Sequence, residues 1–139
     1  MSTKSMTLYM VVPCYNEEEV LEETTKQLNV IFDGMKEAGK ITEKSRILYV
    51  NDGSRDQTWN LISKLHKENF CGLNLSRNRG HQNAVLAGLM YAKDHCDAAI
   101  SMDADLQDDV HAIEQMVDLY LQGKDVVYGV RSSRKKETF

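Results

Sequence analysis

Short apolar, β-branched runs alternate along this chain with longer stretches in which apolar residues recur every three or four positions. The short runs Leu8–Val12, Arg46–Asn51, Cys71–Ser76, Ala98–Met102 and Asp125–Val130 predict five strands. Between the first two, Leu21, Thr24, Leu28, Ile31 and Met35 define one face of a helix. Asn16 stands where an N-cap would be, and Glu17, Glu18 and Glu19 favour the positive helix end. Asp56–His66 predicts a shorter helix with Trp59, Ile62 and Leu65 turned inward, and Ala84–Lys93 a third. Val110, Ile113, Val117, Tyr120 and Leu121 mark a fourth, ended by Gly123. Such alternation implies right-handed crossovers and an α/β fold with a mainly parallel sheet and helices on both faces. No internal repeat, low-complexity segment or interior linker interrupts it.

Composition narrows the function class. The 139 residues suit one domain with a real core, and 42% hydrophobic with 27% charged residues is ordinary for a globular protein. A net charge of -4 argues against nucleic acid as a partner. Cys14, Cys71 and Cys96 are odd in number, widely spaced and form no Cys-x-x-Cys pair, so reduced thiols in the cytoplasm are expected. Leu8–Pro13 is too short an apolar run to span a bilayer, and Met1–Lys4 lacks a secretory pattern. Asn74-Leu75-Ser76 has the form of a glycosylation sequon but falls in a predicted strand.

Open parallel sheets bind ligands outside the carboxyl ends of their strands. The polar clusters fall there: Pro13–Glu17, Asn51–Asp56, Ser76–Gly80 and Asp103–Asp105. Asp103 and Asp105 are one residue apart, so in an extended backbone both carboxylates emerge on one side. Two such groups can share a hard divalent cation and leave its other positions to phosphate oxygens and water. Asp52 can accept from a base N–H or a ribose hydroxyl while Gly53 allows a tight turn; the alternative is a turn and helix cap formed by Asp52, Ser54 and Asp56. Pro13–Glu17 can hold base and ribose through backbone groups and the Tyr15 ring, or be a turn capped by Asn16. Arg77, with Asn78 and Gly80, can clamp a diphosphate or form a surface salt bridge.

Other patterns fail on chemistry. Gly34–Lys40 has phosphate-loop spacing, but Ile41 stands where Ser or Thr is needed and a helix precedes it instead of a strand. His66, His81, His95 and His111 have no zinc-ligand spacing with the cysteines. A receiver domain would need an acidic pair after the first strand and a lysine after the fifth, where Pro13-Cys14-Tyr15 and Arg131 stand.

Four ordered motifs, Val12–Glu18, Val50–Asp56, Ser76–Gly80 and Met102–Asp108, resemble the family-2 glycosyltransferases of the GT-A (Rossmann-like) fold over nearly the whole chain. The Asp-Ala-Asp-Leu-Gln-Asp form is most similar to the branch with dolichyl-phosphate mannose synthases and bactoprenol glucosyltransferases. That resemblance implies inverting transfer of a hexose from a UDP- or GDP-sugar to a polyprenyl phosphate, with Mg2+ or Mn2+ as cofactor. It implies that Asp103, Asp105 and Gln107 hold the metal against the donor diphosphate. It also implies that Asp52 contacts the nucleoside, with Pro13, Tyr15, Asn16 and Glu17, and that Arg131 lies near the phosphates; Arg77 joins them as a donor-binding candidate from the reading of its own motif. It assigns no catalytic base to these residues: many branches carry one past Phe139, unnecessary for a lipid phosphate acceptor and obligatory for a sugar hydroxyl.

Arg79, Asn83 and Asp109-Val110-His111 depart from the family's usual residues, which bears on the acceptor more than the donor. Members of this family continue well past Phe139. The expectation is therefore a single nucleotide-sugar-binding domain over 1–139, ending after about five strands, with the acceptor and membrane part absent. In the longer protein it would work at the cytoplasmic face of a membrane, where Arg131, Arg134, Lys135 and Lys136 could approach anionic lipid. A sheet left uncovered favours self-association, so a homo-oligomer is expected. A non-catalytic nucleotide-sugar-binding or assembly module is the alternative reading.

Overall fold

The structure, a computed structural model, describes residues 5–65, 67–105 and 110–123. The expected fifth strand, Asp125–Val130, lies outside them, as do Gln107 and Arg131. Four strands, β1 (Leu8–Cys14), β2 (Arg46–Asn51), β3 (Phe70–Asn74) and β4 (Ala98–Ser101), form one sheet in the order β3-β2-β1-β4. All neighbours are parallel, with Val11 opposite both Leu48 and Ser101, and Val50 opposite Leu73. The helices are α1 (Leu21–Glu37), α2 (Thr58–Ser63), α3 (His81–Ala92) and α4 (His111–Leu121).

Strand periodicity divides the core into two layers. Leu8, Met10, Val12 and Cys14, with Ile47 and Tyr49, meet Leu21, Leu28, Phe32 and Met35 of α1, Ile62 of α2, and Ile113 and Val117 of α4. The alternate residues Tyr9, Val11, Leu48 and Val50 meet Ala84 and Ala92 of α3. Every residue of β1 is buried, which is why it reads as an unbroken apolar run with no alternation. Full burial of side chains such as Leu28 and Phe32 stabilises by about 1.5–3 kcal/mol each. On the other face α3 approaches closely through Gly88, where a Cβ would lie 2.4 Å from Val11 Cγ1.

Local chemistry moves several predicted boundaries. Asn16 does not cap α1; it takes a positive φ of 54°, a one-residue turn tolerated by its short polar side chain. The chain then turns, with the Glu17 carbonyl accepting from Val20 and Leu21, before the helix starts at Leu21. Glu22 and Glu23, not Glu17 to Glu19, therefore occupy its first turn. Asp56 is drawn into loop hydrogen bonds with Thr58, which delays α2 to Thr58. α3 begins three residues earlier than its apolar pattern, directly after Gly80 at φ 94°. Pro13 lies inside β1 without cost to pairing. Val11, of the same parity, points its carbonyl toward the β4 side, where Met102 donates to it; by Pro13 that strand has ended. No described helix is long and apolar enough to cross a membrane.

Candidate functional site

Three loops at the carboxyl ends of β1, β2 and β3 are tied to one another by side chains of the predicted motifs. Ser54 Oγ accepts from the Asn16 N–H at 2.9 Å, and Asn16 Oδ1 accepts from the Arg55 N–H at 2.9 Å. Thr58 Oγ1 accepts from the Glu17 N–H at 2.8 Å, and Glu18 Oε1 from the Gln57 N–H at 2.8 Å. Asn16 thus spends its side chain clasping the second loop. The loops after β2 and β3 meet more tightly still. Asp52 is 3% exposed, its Oδ1 accepts the Arg79 N–H at 2.7 Å, and its carbonyl accepts from Asn78 Nδ2 at 3.1 Å.

The loop after β4 is held from below. Ala104 is buried in the core, and its carbonyl accepts a 2.6 Å hydrogen bond from the buried Thr24 hydroxyl of α1. The strand ends at Ser101, so Asp103 and Asp105 do not share an extended backbone as expected; Ala104 and Asp105 lie in a turn. Burying Ala104 leaves its two acidic neighbours toward solvent, Asp103 half-buried and Asp105 exposed.

These loops enclose a cleft of about 490 Å³ lined by Pro13, Tyr15, Glu17, Asp52, Asp103 and Asp105 among others. Arg77 is not among the lining residues; its backbone instead packs against Gly53. Cys14, Asn78, Gly80 and Ala104 of the predicted clusters also line the cleft, together with His81, which lies outside those clusters. Gly80 was the available signal for His81, since a glycine after a polar loop marks where a helix can start. His81 Nε2 lies 3.9 Å from Asp103 Oδ1 across the cleft.

The cleft is electrostatically negative. Burial, then the Asp105 charge, raises the Glu17 carboxyl above its ordinary value; Asp103 adds to the effect and the Tyr15 backbone opposes it. A divalent cation would relieve this crowding. Among the described residues no three His, Cys, Asp or Glu side chains are arranged to hold a metal by themselves. The donors fit a magnesium-type site, in which one or two carboxylates share the ion with substrate phosphates and water. The three cysteines are free, and Cys14 is buried beneath the site.

A parallel sheet with a carboxylate-lined cleft at its strand ends is the ligand-binding arrangement of open α/β folds. The Glycosyl transferase family 2 domain matches residues 9–139, and the chain belongs to that family. It is 50% identical over 134 residues to the uncharacterized glycosyltransferase YkoT of Bacillus subtilis, covering 95% of this chain and 40% of that protein. It is 32% identical over 135 residues to the bactoprenol glucosyl transferase of Shigella phage SfV, covering 95% of this chain and 41% of the relative. The chain therefore spans about two-fifths of the curated relatives it matches. The fold is similar to that of the mannosyltransferase PcManGT from Pyrobaculum calidifontis, solved with GDP-Man and Mn2+. That match has a TM-score of 0.57 and 20% identity, covering 74% of this chain and 28% of that one. The fold is thus GT-A-like.

Proposed function

We propose that this chain is the nucleotide-sugar-binding part of a metal-dependent, inverting hexosyltransferase with a UDP- or GDP-hexose as donor and a polyprenyl phosphate as acceptor. The observation that carries the reading is the convergence of Glu17, Asp52, Asp103 and Asp105 on one cleft at the strand ends. Family membership and the bactoprenol glucosyl transferase relative support the reaction class and the acceptor. In the longer protein the domain would work at the cytoplasmic face of a membrane.

In this reading Asp103 and Asp105, with Gln107, would hold Mg2+ or Mn2+; that PcManGT is in complex with GDP-Man and Mn2+ supports the choice. There the cation would supply Lewis-acid neutralisation of charge on the departing diphosphate. Asp52 keeps one carboxylate oxygen on Arg79 and offers the other to the nucleoside. Pro13 and Tyr15 wall the base, and Arg131 serves the phosphates. Asn16 and Glu17 shape the cleft, Asn16 by holding the Ser54–Arg55 turn in place. A phosphate acceptor is already ionised at neutral pH, so orientation and electrostatics supply most of the rate and no dedicated base is needed.

Calorimetric titration with UDP and with GDP, each with and without Mn2+, tests the site. Metal-dependent binding of one nucleotide is expected, abolished in Asp105→Ala. Binding that ignores both Mn2+ and the substitution would remove the metal role. Metal-dependent binding without sugar transfer by a longer natural protein would favour a non-catalytic module.

A further inference from the structure

We infer that Thr24, in the first turns of α1, is a positioning residue for the Asp103–Asp105 loop. The inference rests on the donor-site reading, since that reading gives the loop its cation and diphosphate. The β4 ladder is last held where the Met102 N–H reaches the Val11 carbonyl at 3.0 Å. Beyond it the chain turns, and the Ala104 carbonyl sits at a residue only 2% exposed, where an unpaired carbonyl would be costly. Thr24, also 2% exposed, supplies the missing donor at 2.6 Å across 80 residues of sequence.

The residue type supports the assignment. A β-branched residue is a mediocre helix former, and a threonine hydroxyl inside a helix commonly turns back to its own helix's carbonyls. Thr24 instead sends its hydroxyl outward to the loop. The Ala104 methyl lies in the core and its carbonyl is tied to α1, while the flanking Asp103 and Asp105 both line the cleft. Thr25, the next residue, is a matched comparison. It is equally a buried threonine, but its hydroxyl pairs with Tyr49 Oη at 2.7 Å instead of with the loop. Groups that orient metal ligands from behind typically control 10–100-fold in metal affinity.

The test compares Thr24→Val, which keeps shape and removes the donor, with Thr24→Ser, which restores it, and with Thr25→Val. Should the valine not be accommodated, Thr24→Ala removes the same donor at smaller volume. Mn2+-dependent nucleotide affinity should fall about tenfold in Thr24→Val, recover in Thr24→Ser and hold in Thr25→Val. Amide hydrogen exchange without metal should speed up at 103–105 in Thr24→Val alone. That exchange result supports the inference even if the unaltered chain binds neither nucleotide, an outcome that overturns only the donor-site reading. Unchanged exchange and affinity in Thr24→Val, or equal losses in Thr25→Val, overturn the positioning role.

Discussion

The Asp52 carboxylate accepts the backbone N–H of Arg79 at 2.7 Å, so the loop that follows β2 is fixed to the loop that follows β3. The contact is possible only because Gly53 lets the two backbones touch. A Cβ on Gly53 would lie 2.3 Å from Asn78 N and 2.6 Å from the Arg77 carbonyl carbon. Backbone atoms on both sides leave nothing flexible to yield.

Gly53→Ala should therefore do two things at once. It forces an L-residue to φ 68° and separates the loops, so destabilisation of about 1–3 kcal/mol is expected along with weaker nucleotide binding. Gly39 provides the comparison: its φ is 74°, but nothing lies within 4 Å of its Cβ position. Gly39→Ala should show only the backbone cost and leave binding alone. Urea melts and nucleotide titrations on the two variants check this; equal effects would mean that the close approach is unimportant.

Burial makes a second prediction. The Cys14 thiol is pushed far above its ordinary pKa, first by desolvation and then by the Glu17 charge. Tyr49 is raised as well, mainly by desolvation. Both groups are held protonated in the folded chain and ionise more readily when it unfolds. Their contribution to stability is complete below the unfolded values and is lost as pH rises beyond them, by about 1.4 kcal/mol per pH unit per group. Stability should thus fall steeply from about pH 9 upward. At pH 8 a thiol reagent should label Cys14 only as fast as the chain opens. Rapid labelling of all three cysteines in the native protein would contradict the buried placement.

Much of this arrangement was legible in the sequence, for reasons that can be named. Arg46–Asn51 is an apolar run bounded by polar turn residues, and it is β2 without adjustment. The four motifs lie at strand ends because alternation fixes where those ends are. Long-range ties were not legible. The start of α1 depends on Asn16 being claimed by Ser54 and Arg55, some forty residues away. The disposition of Asp103 and Asp105 depends on Ala104 being claimed by the core and by Thr24. Strand period alone gave these carboxylates a common face through an extended backbone, and the turn replaces that geometry. His81 carried only the weak signal of a preceding glycine.

Glu17 yields the last prediction, because its environment sets stability against function. Its carboxyl is raised by burial and by Asp105 and Asp103, so in the metal-free chain its proton is worth more folded than unfolded. That advantage is complete below the ordinary glutamate value of 4.5 and disappears as pH rises through the raised value. At neutral pH the metal-free fold therefore carries an unfavourable charge. Glu17→Gln removes it while keeping the shape, and should raise the melting temperature in EDTA at pH 7, with the gain shrinking toward pH 4. Adding Mn2+ and nucleotide should reverse the order, because a cation in the cleft uses the negative potential that Glu17 helps create. Melting curves across that pH range, with and without ligand, decide the matter. A Glu17→Gln difference that is independent of pH would mean that neither burial nor the Asp105 and Asp103 charges raise this carboxyl.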